Sequence, residues 1–151
     1  MGIEDTFNFR RISDRVTTSG LVNAEQLATL GSEGYQAVIN LLPDTYEHAV
    51  HEEPDIVHEQ GLDYVYIPVD FAAPSHDDFV AFSDAMRAHA DDKVHVHCAA
   101  NYRVSAFYGL YAQSQGLCTE AEADALVQGL WNSADYPAWT EFIAAERARM
   151  T

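Results

Sequence analysis

Short apolar runs without internal alternation recur along the chain, separated by longer segments in which apolar residues return every three or four positions. The first pattern marks strands buried on both faces, and the second marks helices with one face on a core. Arg15 to Ser19 reads as a short strand or entry segment. Asn23 then stands as a helix N-cap with Gln26 three residues on, sending Leu27 and Leu30 toward a core before Gly31 and Gly34. Ala37 to Pro43 is an apolar run suited to a doubly buried strand. Thr45 to Gln60 is polar and contains Pro54, which predicts one interrupted helix ahead of a strand over Tyr64 to Val69. Ser75 caps a helix carrying Phe79, Phe82 and Met86 on one face, and Lys93 to His97 forms another β-rich strand. Three helices follow: Val104 to Gln115, Thr119 to Leu130 behind the capping box Thr119/Glu122, and Pro137 to Met150. Val104 to Gln115 is apolar nearly all round and is therefore placed at the centre of the fold.

Strands and helices in this alternation predict an α/β fold: a four- or five-stranded, mostly parallel sheet flanked by helices, in a single domain over residues 1–151. In such folds chemistry gathers at the carboxyl ends of the strands, here directly after His97. The 151 residues are 48% hydrophobic, enough for one packed core. No stretch reaches the roughly 18 consecutive apolar residues of a membrane span. Met1 to Arg10 lacks the apolar core of a signal peptide, and two cysteines make no disulfide framework, so a reduced, cytoplasmic setting is expected.

Charge narrows the partners. Acidic residues number 24 against 8 basic ones, for a net charge of −16, and Lys93 is the one lysine. Nucleic acid and anionic membranes are disfavoured, because both are held by clusters of lysine and arginine. Any phosphate site must rest on local donors that act against the overall field.

Those donors are concentrated in Val94-His95-Val96-His97-Cys98-Ala99-Ala100-Asn101-Tyr102-Arg103-Val104-Ser105. A cysteine between a strand and a helix N-terminus meets the positive end of the helix and the loop amides, both of which favour thiolate over thiol. The amides can also cradle an oxyanion, and an arginine supplies a planar pair of donors matched to two phosphate oxygens. Together these describe nucleophilic attack on phosphorus.

At this point the sequence resembles the cysteine-dependent dual-specificity and tyrosine phosphatases, in particular small bacterial dual-specificity-like proteins. The resemblance rests on Thr18-Ser19-Gly20, Ala37-Val38-Ile39-Asn40-Leu41, Tyr66-Ile67-Pro68-Val69 and Val96-His97-Cys98 leading into the central helix, and covers most of the chain. It implies a metal-free and cofactor-free phosphate monoesterase with Cys98 as nucleophile, Arg103 as phosphate clamp and a hydroxyl near the arginine assisting the leaving thiolate. It also implies an aspartate as general acid, with His97 orienting the loop and tuning the thiolate without transferring protons. Residues 98–105, namely Cys98, Ala99, Ala100, Asn101, Tyr102, Arg103, Val104 and Ser105, form the expected phosphate-binding loop. Asp70, 28 residues before Cys98, is the expected acid; its alternative is a turn ahead of Pro74.

The loop departs from the family pattern, which places five residues between cysteine and arginine; here four separate Cys98 from Arg103, and Ser105 keeps the hydroxyl register. Either the loop closes one residue shorter with Arg103 in the clamp, or it keeps its length and Arg103 points elsewhere. Asn101 holds the position usually occupied by glycine and tolerates the left-handed turn required there. Two other readings stay open: an oxyanion-binding module without catalysis, and a rhodanese-type sulfurtransferase, whose cysteine loop has the shorter spacing.

The remaining candidates have ordinary readings. His95 is a packed strand residue, and His48 and His51 are solvated, with no metal-ligand spacing around any of them. Asp77 and Asp78 complement the helix capped by Ser75. Cys118 is either a small packing residue or a partner that resolves oxidised Cys98, and distance decides between the two. Trp131, Tyr136 and Trp139 read as core aromatics. The acidic surface favours a phosphorylated substrate with basic flanks or a small oxyanion, and oligomeric state leaves no signature.

Overall fold

The computed structural model describes residues 2–150. Its sheet contains β1 (Arg10–Arg11), β2 (Val16–Ser19), β3 (Ala37–Asn40), β4 (Asp63–Tyr66) and β5 (Val94–His97). Their order is β1-β2-β5-β3-β4, with β1 antiparallel to β2 and every other pair parallel. The central strand β5 pairs Val94 with both Val16 and Ala37, and His97 with both Ser19 and Asn40. The residue after His97 therefore leaves from the middle of the sheet, at the carboxyl ends of its parallel strands.

Six helices cover the sheet: α1 (Ala24–Ala28), α2 (Glu53–Glu59), α3 (His76–Ala88), α4 (Tyr102–Ser114), α5 (Glu120–Gln128) and α6 (Pro137–Ala148). Alternate residues of the strands feed opposite faces. Ala37, Ile39, Val94 and Val96 join Phe82, Phe107, Leu110 and Trp139 in the larger core, whereas Val38 joins Leu27, Leu30 and Val57 in the smaller. Helix α4 is buried continuously from Val104 to Ala112, as its apolar circumference requires. Emptying the place of Phe107, which packs against Phe79, Phe82, Trp139 and Phe142, costs about 3–5 kcal/mol by the usual large-to-small scale.

The capping residues act as their sequence suggests. Asn23/Gln26 and Thr119/Glu122 exchange reciprocal bonds, and Ser75 accepts from the Asp78 amide. Two expectations change. Thr45 to Gln60 is not one interrupted helix: residues 45–52 are turns and irregular backbone, and only Glu53–Glu59 is helical. Pro54 lies in the first turn of α2, where its missing N–H leaves no bond unmade, so it starts the helix instead of breaking it. Regular β4 ends at Tyr66, but Ile67 and Val69 still donate to the carbonyls of Asn40 and Leu41, keeping the chain alongside β3 up to Asp70. No helix among the described residues is long and apolar enough to cross a membrane.

Candidate active site

Cys98 directly follows β5, and its amide donates to the Ser19 carbonyl at 3.3 Å. The next carbonyls are drawn away from the cysteine by the N-terminal part of the chain. Leu21 N–H donates to Ala99 O at 2.9 Å, and Asn8 Nδ2 donates to Ala100 O at 2.9 Å. Gly20 makes this approach possible, since a Cβ there would lie 2.6 Å from Ala99 O. Asn101 takes the left-handed turn at φ 67° and ψ 13°, and its Nδ2 donates to Asn8 O and to Thr18 Oγ1, each at 2.9 Å. The Asn101 carbonyl receives the Ser105 amide at 3.0 Å and begins α4. With three successive carbonyls engaged, the amides of Ala99, Ala100, Tyr102, Arg103 and Val104 donate to no acceptor among the described residues. A concentration of unpaired N–H groups at a helix N-terminus is an anion cradle. Cys98 itself is fully buried at the edge of the larger core.

Arg103 leaves the first turn of α4 toward the segment after β4. Its Nε donates to Val69 O at 2.9 Å, and its guanidinium carbon lies 5.2 Å from the centre of the Phe71 ring. Its two terminal nitrogens have no hydrogen-bond or salt-bridge partner among the described residues, so the fork that recognises oxyanions is free. Asp70 is exposed, and its Oδ1 accepts from the Ala72 amide at 2.9 Å, the turn that the sequence offers as the alternative to acid catalysis. Asp70, Phe71 and Arg103 nonetheless line one groove of about 660 Å³ together with Tyr46 and Pro43. Phe71 is held from behind by Tyr102, Trp131, Tyr136 and Trp139, and Trp139 Nε1 donates to its carbonyl at 2.8 Å. The carboxyl-terminal aromatics thus fix the segment bearing Asp70. Ser105 Oγ donates to Tyr102 O and accepts from Trp131 Nε1, each at 3.0 Å, so its bonds lead to these residues and not to Cys98.

The two histidines of β5 differ in their partners. His95 is bracketed by Thr17 Oγ1 on Nδ1 and Ser19 Oγ on Nε2, both at 2.8 Å; burial, with a smaller contribution from His97, holds its pKa well below the ordinary value. His97 Nε2 meets Glu53 Oε2 at 2.5 Å, with both side chains buried, and its Nδ1 has no partner among the described residues. Asn40 Nδ2 lies 3.4 Å from the other Glu53 oxygen and 3.0 Å from Tyr64 Oη. Burial and the Glu53 charge push the Tyr64 phenol well above its ordinary value. Sequence reasoning missed Glu53, which stands 44 residues from His97 in a polar stretch with no periodic signal.

Distance settles Cys118. It lies beyond the far end of α4, and thirteen helical residues at a rise of about 1.5 Å place it on the order of 20 Å from Cys98, too far for a disulfide. Both thiols are free, and burial raises that of Cys118 with a further contribution from Glu122. Among the described residues no group of three or more histidine, cysteine or carboxylate side chains is placed to hold a metal ion.

Residues 8–117 match the family described as the phosphatase-like domain of beta-lactamase hydrolase-like proteins. The chain belongs to this family. A beta-lactamase hydrolase-like protein of Agrobacterium fabrum is 30% identical over 103 residues, 66% of this chain and 24% of that protein, so the chain spans about a quarter of its relative's length. A crystal structure of a DUF442 protein from Shewanella putrefaciens CN-32 is 37% identical, with a TM-score of 0.88 over 98% of this chain and 96% of its own. The fold of this phosphatase-like domain extends to more distant proteins. Tk-PTP is 19% identical at a TM-score of 0.77, covering 94% of this chain and 97% of its own. Pseudomonas aeruginosa TpbA, crystallised with phosphotyrosine, is 16% identical at 0.72, covering 95% and 90%. The five-stranded, mostly parallel sheet with flanking helices is that of the dual-specificity and tyrosine phosphatases.

Proposed function

We propose that the domain hydrolyses phosphate monoesters through a cysteinyl-phosphate intermediate on Cys98. The observation that carries this reading is the set of unpaired amides of Ala99, Ala100, Tyr102, Arg103 and Val104 at the start of α4, with Cys98 at their foot. Donors fixed in advance stabilise negative charge as it spreads over the equatorial oxygens, without reorganising at the moment of reaction.

In the first step the Cys98 thiolate forms an S–P bond as the ester P–O bond breaks, and Asp70 gives its proton to the departing oxygen. In the second, Asp70 takes a proton from water as that water attacks phosphorus, the S–P bond breaks, and thiolate and inorganic phosphate are restored. Arg103 supports the clamp role through its free terminal nitrogens, anchored as it is at Nε by Val69 O. This anchoring joins the arginine to the segment that carries Asp70. Ser105 reaches the leaving thiolate only by exchanging its bond to Tyr102 O, and His97 acts from beneath the loop. Phosphorylated substrates with basic flanks suit the net charge of −16; nucleic acid does not.

Full burial of Cys98, and the bond from Arg103 Nε to Val69 O, favour a second reading in which the cradle binds oxyanions without turnover. Hydrolysis of para-nitrophenyl phosphate between pH 5 and 8, by the native protein and by Cys98→Ser at equal concentration, separates the two. Turnover confined to the native protein is the expected result. Phosphate or vanadate binding by an inactive native protein selects the binding module, and sulfur transfer from thiosulfate to cyanide selects the sulfurtransferase.

A further inference from the structure

The cysteine loop is completed by a residue far outside it. The segment before β1 is fixed at three points: Ile3 is buried in the smaller core, Phe7 O accepts from the Gly20 amide at 2.7 Å, and the Phe9 ring stacks on His95 with centroids 6.3 Å apart. Between Phe7 and Phe9 the backbone of Asn8 turns left-handed, at φ 54°. Residues other than glycine adopt that conformation rarely, asparagine more readily than most. The turn lets one residue meet the loop twice: Asn8 Nδ2 donates to Ala100 O, and Asn8 O accepts from Asn101 Nδ2, both at 2.9 Å. Asn101 is committed to this exchange. It is fully buried, its Nδ2 is shared between Asn8 O and Thr18 Oγ1, and its Oδ1 has no partner among the described residues. The carbonyls on either side of Ala100 O are held by main-chain donors, Ala99 O by the Leu21 amide and Asn101 O by the Ser105 amide. Of the three, Ala100 O alone is held by a side chain, one that arrives from 92 positions away. Released from it, that peptide can turn its oxygen toward the cradle, where the partial negative charge opposes an oxyanion and the neighbouring amides lose their common aim.

We propose that Asn8 is a positioning residue for the anion cradle: by holding the Ala100 carbonyl and the Asn101 side chain, it keeps the free amides of Ala99, Ala100 and Tyr102 aimed at one bound oxyanion. It acts through the loop and not on the anion. The inference rests on the cradle of the proposed function and not on turnover at Cys98.

The test is calorimetric titration of inorganic phosphate into the full chain, native and Asn8→Gly, well below the unfolding temperature. Glycine takes the left-handed turn freely and keeps the carbonyl that Asn101 uses, so this change removes the Nδ2 donor alone. The expected result is a Kd raised about tenfold, the worth of one hydrogen bond, with circular dichroism matching that of the native protein. A merely structural role would lower the melting temperature and leave the Kd of the folded protein unchanged, and that result overturns the inference. Asn8→Asp keeps the shape, puts an acceptor against Ala100 O, and carries the test should Asn8→Gly unfold the protein. Its added charge opposes phosphate at a distance, an effect that fades between about 0.1 M and about 1 M salt, whereas misaimed amides do not recover. A loss of affinity that persists in high salt is expected; one that salt abolishes overturns the inference. Weakened phosphate binding in a protein that hydrolyses nothing retains the role of Asn8 and removes the phosphatase reading. Equal binding by native protein and folded variant in an active enzyme does the reverse, and a native protein that binds no phosphate removes the cradle and this inference with it.

Discussion

Each end of α4 carries a cysteine, and the two thiols stand in opposite electrical surroundings. Cys98 lies ahead of the first turn, beside unpaired amides and Arg103. Cys118 lies beyond the last turn, where helix carbonyls accumulate, and burial and Glu122 hold its thiol protonated. Burial alone does not separate them, since Cys98 is the more buried. What separates them is which pole of the helix they face. On the proposed reading, a chain of net charge −16 holds phosphate through neutral backbone donors that act at short range.

The contrast breaks most directly at the sulfur atoms. Cys98→Ser should reduce para-nitrophenyl phosphate hydrolysis to background, whereas Cys118→Ser should retain native turnover; equal losses would erase the distinction. Arg103→Lys comes next. It keeps a charge but loses the planar fork and the bond to Val69 O, and kcat/KM should fall by roughly a hundredfold, on the scale of a lost oxyanion donor. Little change would place the guanidinium outside the clamp.

Glycine substitutions sharpen the same comparison. At Gly20 a Cβ would meet Ala99 O at 2.6 Å and Ala100 Cα at 2.8 Å, so Gly20→Ala must displace the cysteine loop. It should cost about 1–3 kcal/mol in denaturant unfolding and weaken phosphate binding measured by calorimetry. Gly116→Ala, at φ +73° with open space around it, should cost about 1 kcal/mol and leave phosphate binding unchanged. The smallest effect concerns pH. The folded pKa of His95 is depressed, so the unfolded chain binds a proton that the folded chain refuses. Its contribution to stability is complete above the unfolded value of about 6.5 and declines as the pH falls below it. The melting temperature of the native protein should therefore drop more between pH 7 and 5 than that of His95→Gln; parallel curves would show that His95 titrates normally.

Local signals were legible in the sequence because local chemistry makes them. Asn23, Ser75 and Thr119 cap helices through side chains within three residues, β3 shows its double burial in an apolar run, and β5 shows itself as a short β-rich stretch. Cys98 at a strand end before a buried helix followed from the same order. Arg10–Arg11 is too short for any periodicity to announce a strand; it exists because its backbone pairs with Thr17 and Thr18. The partnerships of Glu53 with His97 and of Trp131 with Ser105 join residues far apart in sequence, and Glu53 and Trp131 alone read as an ordinary surface acid and an ordinary core aromatic. The course of Arg103 depended on a carbonyl 34 positions away, which no count along the cysteine loop could supply.

The reciprocal bonds between Asn8 and the loop at Ala100 and Asn101 have a consequence for assembly. They span more than ninety positions, from a left-handed asparagine near the start of the chain to another at the threshold of α4. Closure over such a separation loses much entropy before any contact returns it, so this region belongs late in folding. A growing polypeptide can complete β3 and β4 while the cradle is still unshaped, and the cysteine gains its ordered surroundings only when the two distant asparagines meet.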